Sequence, residues 1–146
     1  MRKATLVLAM VFTLISTIAS ANENVRQDVL NSFKKEFSSA TEVSWTIGDS
    51  YYQAAFTMND QKLFAFYNSD GEFLALTRYI SSVQLPLNLH NSLKKYFSDQ
   101  WITDLFEVVN GDGTKYYVTL ENADSKIVLN TSINSNWSVF MKTDKK

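Results

Sequence analysis

The sequence predicts an α+β fold: a tandem repeat of one helix plus a four-stranded antiparallel meander (α-β4-α-β4), with the helices packed on one face of a curved antiparallel sheet. Three observations predict it. Residues 31–38 (NSFKKEFS) return as residues 91–98 (NSLKKYFS), which indicates a duplicated unit. Short aromatic runs follow each copy, beginning at Tyr51 and at Tyr116. Turn residues separate the runs at hairpin distances, so neighbouring strands are antiparallel.

Two helices are predicted from apolar residues that recur at every fourth position and so form a stripe on one side. The first covers about residues 23–38. Pro86 marks the start of the second, because its missing N–H is not needed in a first helical turn. The stripe residues are Val29, Phe33 and Phe37 in the first helix, and Leu89, Leu93 and Phe97 in the second.

Eight strands are predicted between the turn signals. Asn59-Asp60 and the segment 68–71 (NSDG) carry hairpin chemistry, because Asn, Asp and Gly tolerate positive φ. Aligning the strands of the two halves needs four extra residues near 99–102, where Trp101 either fills the end of the core or serves a partner. The predicted strands are 43–47, 51–58, 62–68, 73–80, 105–110, 116–121, 126–130 and 137–141.

The first 21 residues are predicted to be a cleaved signal peptide. Arg2 and Lys3 precede an apolar run, and Ala19-Ser-Ala21 fits the small-residue cleavage rule. The alternative, a membrane-spanning helix, would need about 20 apolar residues, and polar residues interrupt this run. We therefore expect a periplasmic or secreted chain, 22–146, without membrane insertion after cleavage. It would form one domain of two repeats, about 22–81 and 82–146.

Composition favours a protein partner over nucleic acid. The chain has 14 basic and 15 acidic residues, and cleavage would leave 12 against 15, a net charge near −3. No basic run could neutralise a row of phosphates. The absence of cysteine excludes disulfides, so stability must come from a hydrophobic core, for which 45% apolar and 14% aromatic residues supply the material.

The pattern resembles the PepSY-like proteins of the Bacteroidetes envelope, which are grouped by fold with the β-lactamase-inhibitor protein. The resemblance covers nearly the whole mature chain. It implies an envelope protein that binds other proteins or peptides, and it transfers no catalytic residue. The residues that carry it are Phe33 and Phe37, segment 43–45 (VSW), segment 51–56 (YYQAAF), segment 65–72 (AFYNSDGE), Leu85-Pro86 and segment 116–118 (YYV).

No catalytic, cofactor or metal site is predicted. His90 is the only histidine and no cysteine is present, so neither a zinc site nor a catalytic triad can be assembled from the usual residues. Segment 68–72 (NSDGE) resembles half of a calcium loop, but a hairpin turn is preferred. Scattered carboxylates leave a hydrolase as the least favoured alternative, which would need two acids converging in a pocket.

The candidate binding surface comes from an excess of apolar residues on the first-half strands. An antiparallel sheet covered by helices on one side should alternate apolar and polar residues, and these strands are apolar on both faces. The second half alternates more cleanly and is expected to face water on one side. Aromatic residues and Arg dominate interface energetics, which selects six candidates. They are Tyr51, Phe64, Phe66, Arg78, Trp101 and Tyr117.

The sequence therefore predicts a secreted or periplasmic, non-enzymatic protein-binding module with an inhibitor-like character, which uses the helix-free aromatic face of its sheet. Its partner would be an unknown envelope or extracellular protein or peptide. Two alternatives stay open for the aromatic residues: they are buried under the helices, or they are buried in a homodimer. The alternative function is an envelope carrier of a small hydrophobic ligand, held in an aromatic cavity.

Overall fold

The structure is a computed structural model that describes residues 24–132 and 136–146. The predicted signal peptide, residues 1–21, lies outside the described residues. Within them the chain forms two α-helices, eight strands and a 3-10 helix, Ser82–Gln84. The helices are α1, Gln27–Glu36, and α2, Leu87–Tyr96. The strands are β1 Thr41–Ile47, β2 Tyr52–Met58, β3 Gln61–Tyr67, β4 Phe73–Tyr79, β5 Trp101–Asn110, β6 Gly113–Glu121, β7 Ser125–Ser132 and β8 Ser138–Asp144.

The eight strands of the described residues belong to one sheet, in which they lie in sequence order from β1 to β8. The pairings within each half are antiparallel, for example β2 with β3 and β6 with β7. The predicted fold class, a tandem α-β4-α-β4 repeat, is therefore wrong. The described residues form mostly an eight-stranded antiparallel sheet, and the two α-helices among them have ten residues each.

The matching helix segments misled the prediction because their shared pattern has a local cause. Any short helix that lies on a sheet needs apolar residues toward the sheet and favours lysines toward water. The strands themselves differ in length, from seven residues in β1 to ten in β5. The four residues assigned to an insertion are partly strand, since β5 begins at Trp101. Just past β4, the Ile80 N–H donates to the Leu105 carbonyl at 3.0 Å, which pairs backbone groups that an isolated meander would leave open.

Packing divides the chain into two compact units, residues up to Thr77 and residues from Arg78, which we call the N-terminal and C-terminal units. In the N-terminal unit, α1 buries Val29 and Phe33 on one face of the sheet, as the apolar stripe predicts. The Phe33 ring lies 5.2 Å from that of Trp45 and 5.0 Å from that of Phe56, in edge-to-face arrangements. Such contacts add to the free energy of burial and anchor the helix.

In the C-terminal unit, α2 packs through Leu89 and Leu93 on side chains of β5, β6 and β7. The indole N–H of Trp137 donates to the Leu89 carbonyl at 3.0 Å, so this ring is tied to the helix. Pro86 stands at the N-cap of α2 and its carbonyl accepts the His90 N–H at 3.0 Å. The predicted start of the second helix is confirmed.

The predicted hairpin chemistry is also confirmed. Asn59 and Asp60 both adopt positive φ, 51° and 60°, as the two central residues of a type I′ turn require. At the β3–β4 turn the side-chain oxygen of Asn68 accepts two backbone N–H groups within 3.0 Å. Gly71 follows with φ 81°, and a Cβ at this position would lie 3.0 Å from the backbone of Asp28 in α1. This turn therefore requires glycine for two separate reasons.

Candidate functional site

The C-terminal unit carries a row of aromatic rings on the sheet face opposite α2. Side chains alternate along a strand, and Leu105 and Tyr116 face α2, so Phe106 and Tyr117 face the other way. Ring contacts join four residues from four strands, which we call the aromatic row: Tyr79, Phe106, Tyr117 and Phe140.

The middle of the aromatic row is buried and its ends are exposed. The rings of Phe106 and Tyr117 stack in parallel with centroids 5.2 Å apart. Tyr79 covers one side of this stack at 6.3 Å and Phe140 the other at 6.2 Å, both edge-to-face. Tyr79 is 48% exposed and Phe140 is 41% exposed, and Met141 beside Phe140 is similarly open. The row is thus a rigid, preassembled surface with two accessible aromatic ends.

Burial favours the neutral form of the two tyrosines in the aromatic row. Burial, followed by the negative charge of Asp104, raises the pKa of Tyr79. Burial also raises the pKa of Tyr117, and a hydrogen bond with Asn130 opposes that rise. Both phenols therefore remain hydrogen-bond donors throughout the physiological pH range, as suits an interface that combines ring contact with polar bonding.

The corresponding face of the N-terminal unit is closed. Phe66 is fully buried, and its ring lies 5.9 Å from that of Tyr51. Thr77, on the strand beside it, buries a hydroxyl that has no hydrogen-bond partner among the described residues. Phe64, opposite Thr77 in the β3–β4 pairing, is half-buried. The apolar excess of these strands is therefore largely internal packing.

The six candidates predicted from sequence do not form one surface. Within the N-terminal unit the structure brings Tyr51 and Phe66 together, whereas Tyr117 belongs to the aromatic row. Arg78 is engaged in a partly buried ion pair, with its Nε 2.9 Å from Glu107 Oε1. Trp101 is 65% exposed at the start of β5, so the alternative that it fills the end of the core is wrong. As binding residues, all six stay a prediction.

Two residues of the aromatic row, Tyr79 and Phe140, were not among the candidates. The sequence carried a signal for Phe140, since the run Val139-Phe-Met141 is apolar on the last strand, where burial is hardest to achieve. The expectation that the second half faces water is wrong for Tyr117 and Thr119, which are both buried. The rings of Phe106 and Phe140 pack against Tyr117 and contribute to its burial.

A groove runs beside α1 in the N-terminal unit, with a volume of about 690 Å³. Its walls are mostly apolar and come from the helix on one side and from β1 on the other. We call it the edge groove, because β1 is the first strand of the sheet. Its lining residues are Leu30, Phe33, Lys34, Phe37, Ser38, Ala40, Val43 and Trp45. A smaller groove of about 230 Å³ lies beside α2 in the C-terminal unit.

The described residues offer no metal site: within 24–132 and 136–146, no group of three or more His, Cys, Asp or Glu side chains is placed to hold an ion. His90 lies on α2, and its Nδ1 is 2.8 Å from the Ser82 carbonyl, an arrangement in which Nδ1–H donates. The described part of the chain also contains no helix of the length and hydropathy that crossing a membrane requires. The predicted lack of metal, cofactor and enzymatic activity stays a prediction.

Comparison with solved structures gives the fold a context. The chain is similar to a DUF2874 family protein from Bacteroides ovatus, with a TM-score of 0.73 and 19% identity over 84% of this chain and 89% of that one. It is similar to a BLIP-like protein from Bacteroides fragilis, with a TM-score of 0.69 and 17% identity over 88% and 89%. A protein provisionally described as periplasmic, from Bacteroides eggerthii, gives 0.71 and 17% over 82% and 88%.

The BLIP-like part of the predicted resemblance is therefore confirmed at the level of fold. No family model matches the sequence, and no curated protein matches it. Membership of the PepSY-like family stays a prediction.

Proposed function

We propose that this chain is a periplasmic or secreted protein-binding module without enzymatic activity, and that the aromatic row of its C-terminal unit makes the contact. The observation that carries the proposal is the row itself: a buried ring stack whose two ends, Tyr79 and Phe140, are exposed. Aromatic residues held rigidly in this way lose little conformational entropy on binding, which makes them effective interface anchors.

The partner surface that fits the aromatic row is apolar at its centre and neutral or weakly polar at its rim. Phe140 and Met141 offer hydrocarbon contact, and Tyr79 offers a half-exposed aromatic ring. The likeness to a provisionally periplasmic protein and to a BLIP-like protein supports both the location and the binding role. An inhibitor-like role is the specific form of binding that the second likeness favours.

The test compares a double variant, Tyr79→Ala/Phe140→Ala, with a matched control, Tyr96→Ala. Tyr96 is an equally large aromatic residue in the same unit, 65% exposed on α2 and outside the aromatic row. Immobilised proteins are incubated with a native envelope extract, and captured proteins are quantified by mass spectrometry. We expect one partner protein to bind saturably to the wild type and to the control. The captured amount of this partner should be lower by about tenfold or more on the double variant.

The proposal is refuted if a folded double variant captures the same proteins in the same amounts as the wild type. Folding is checked by urea unfolding, because loss of the fold would remove binding for an unrelated reason. The inhibitor-like form has its own test, in which the protein is titrated into a class A β-lactamase and hydrolysis of a chromogenic substrate is followed. An unchanged rate of hydrolysis would refute the inhibitor-like role, and the capture experiment alone would then test the binding role.

A second candidate function, a carrier of a small hydrophobic ligand, is supported by the edge groove. Its volume of about 690 Å³ lies within the range of small-molecule sites, and Phe33, Phe37 and Trp45 supply aromatic walls. Native mass spectrometry of protein purified without detergent tests this function. A bound apolar molecule released by Phe37→Ala supports it, and a mass equal to that of the bare chain contradicts it.

A further inference from the structure

The free side of β1 is a feature that the proposed function does not use. Among the strands of residues 24–132 and 136–146, β1 is the first in the sheet order and has a strand neighbour, β2, on one side only. An edge strand of this kind presents backbone N–H and C=O groups on which another strand can be added. The inference that follows goes beyond the aromatic row and does not depend on it.

The ladder shows which backbone groups of β1 point outward. The Gly48 N–H donates to the Tyr51 carbonyl at 2.9 Å, so this pair is hydrogen-bonded across the β1–β2 turn. Hydrogen-bonded and non-hydrogen-bonded pairs alternate along an antiparallel ladder. Thr46 and Gln53 are therefore also a hydrogen-bonded pair, whereas Trp45 and Ile47 belong to non-hydrogen-bonded pairs. The N–H and C=O groups of Trp45 and Ile47 therefore point away from β2, toward the open edge.

A bulge sets the limit of this open edge. The pairing of β1 with β2 is irregular between Thr41 and Ser44, and Glu42 within that stretch adopts φ 52°. Bulges commonly end the run over which an edge can accept a partner strand. The regular part, Ser44 to Ile47, is long enough for a short extended segment.

The edge groove lies directly beside this open edge. Val43 and Trp45 of β1 line it on one side. Phe33 of α1 and Phe37, the residue that caps the C-terminal end of α1, line it on the other. A strand added to β1 would point every second side chain toward the α1 face, where the groove has room for it. A helix beside an edge strand, with an apolar groove between them, is an arrangement suited to recognition by strand addition.

The charge of the edge groove indicates which charge a bound segment should carry. Lys34 is the one charged residue among the described lining residues, and Ser38 is a second polar donor close by. Within the described part of the chain, no ion pair involves Lys34. The carboxylates near this region are already engaged, since Glu36 accepts the Tyr67 hydroxyl and Glu42 accepts the Thr57 hydroxyl. An incoming carboxylate would thus meet the ammonium group of Lys34, and the described lining residues include no acid that would repel it.

We infer that the edge groove binds an extended peptide segment as an additional strand on β1. The segment has apolar side chains at alternate positions and a carboxylate, from an acidic residue or a chain end, that pairs with Lys34. Backbone hydrogen bonds to Trp45 and Ile47 provide the affinity that is independent of sequence. The apolar wall and Lys34 provide the selectivity.

The probe is a pool of hexapeptides of the form Thr-X-Thr-X-Thr-Glu, with Val, Ile, Leu or Phe at X, titrated by fluorescence polarisation. Each peptide carries fluorescein at its N-terminus and an amide at its C-terminus, so that the Glu side chain is the only carboxylate of the peptide itself. We expect dissociation constants in the micromolar range, on the order of 1–100 μM, for some members of the pool. Replacing the final Glu by Gln weakens the best member by about tenfold, because a charge-assisted hydrogen bond is lost. N-methylation of a backbone N–H that faces β1 weakens it by at least as much.

Two pairs of variants test the protein side of the contact. Ile47→Pro removes an outward N–H without removing a β1–β2 hydrogen bond, and it is matched by Ile47→Ala, which keeps that N–H. We expect about a tenfold loss for Pro and less than about a threefold loss for Ala. Lys34→Glu is expected to abolish the preference for Glu over Gln in the peptide, whereas Lys94→Glu, outside the edge groove, leaves it intact.

The inference is overturned by any of three results. The first is that no member of the pool binds at a concentration of about 1 mM. The second is that peptide binding survives both N-methylation of the peptide and the Ile47→Pro change in folded protein. The third is that decanoate binds and no peptide displaces it, in which case the groove serves a small amphiphile. Tyr79→Ala/Phe140→Ala is expected to leave peptide binding unchanged, so failure of the aromatic row and failure of the edge groove are distinguishable.

Discussion

Replacing Gly71 by alanine is the sharpest test of how the N-terminal unit is assembled. This residue is buried in the β3–β4 turn with φ 81°, and a Cβ there would lie 3.0 Å from both the carbonyl carbon and the carbonyl oxygen of Asp28. Asp28 belongs to the first turn of α1. Gly71→Ala therefore strains the turn and at the same time presses on the helix that closes the core.

The two effects can be weighed separately. A left-handed conformation costs an alanine about 1–2 kcal/mol, and an extra carbon in a tight contact adds about 1–3 kcal/mol. The lower entropy of alanine in the unfolded chain offsets about 0.4–1 kcal/mol of this. The net loss is about 1–4.6 kcal/mol, and the middle of this range, about 3 kcal/mol, would lower the Tm of a domain of this size by roughly 10 °C.

The assay is urea unfolding followed by circular dichroism, with two companion variants. Gly111→Ala is the matched control, because a Cβ there meets no atom within 4 Å, and we expect a change within about 0.5 kcal/mol. Gly71→Asn separates the two causes, since asparagine tolerates positive φ but still introduces a Cβ. We expect a loss between those of the other two. Equal stabilities of Gly71→Ala and Gly111→Ala would refute the reasoning.

The remaining predictions concern three polar contacts. Burial, followed by Glu36, raises the pKa of Tyr67, so its contribution to the free energy of unfolding is complete below pH about 10 and is lost as the pH rises further. Tyr67→Phe should flatten the alkaline fall in urea unfolding, and an unchanged slope would contradict this. Arg78→Ala, which breaks the partly buried pair with Glu107, should cost about 1.5–3 kcal/mol. The exposed pair of Arg26 with Asp28 should contribute less than about 1 kcal/mol to the free energy of unfolding. Equal losses of stability in Arg78→Ala and Arg26→Ala would contradict this difference.

Local chemistry made the helices and turns predictable. The four-residue spacing of Val29 and Phe33 is enough to place α1, because only one face of a short helix can reach a sheet. Asn59-Asp60 predicts its turn because few other residue pairs accept two positive φ values in succession. Each of these elements depends on a few neighbouring residues.

The sheet as a whole and its surfaces depend on contacts that the sequence pattern does not carry. The similarity of the two helix segments led us to predict a repeated unit. The order of the strands in one sheet depends instead on backbone pairing between strands, which no single residue specifies. Phe66 and Phe140 are both aromatic residues on strands, yet Phe66 is fully buried and Phe140 is 41% exposed. Their difference follows from strand position and from which rings stack on them, so composition alone could not select Phe140 as an anchor.

The placement of the three tryptophans has a spectroscopic consequence. Trp45 is buried in the N-terminal unit, Trp137 is bonded to α2 in the C-terminal unit, and Trp101 is exposed. Trp101→Phe should therefore remove most of the solvent-exposed emission, and a further Trp45→Phe or Trp137→Phe change leaves one indole that reports on one unit. Coinciding transitions from the two single-tryptophan proteins would establish that the units unfold as one cooperative system, and separated transitions would assign a stability to each.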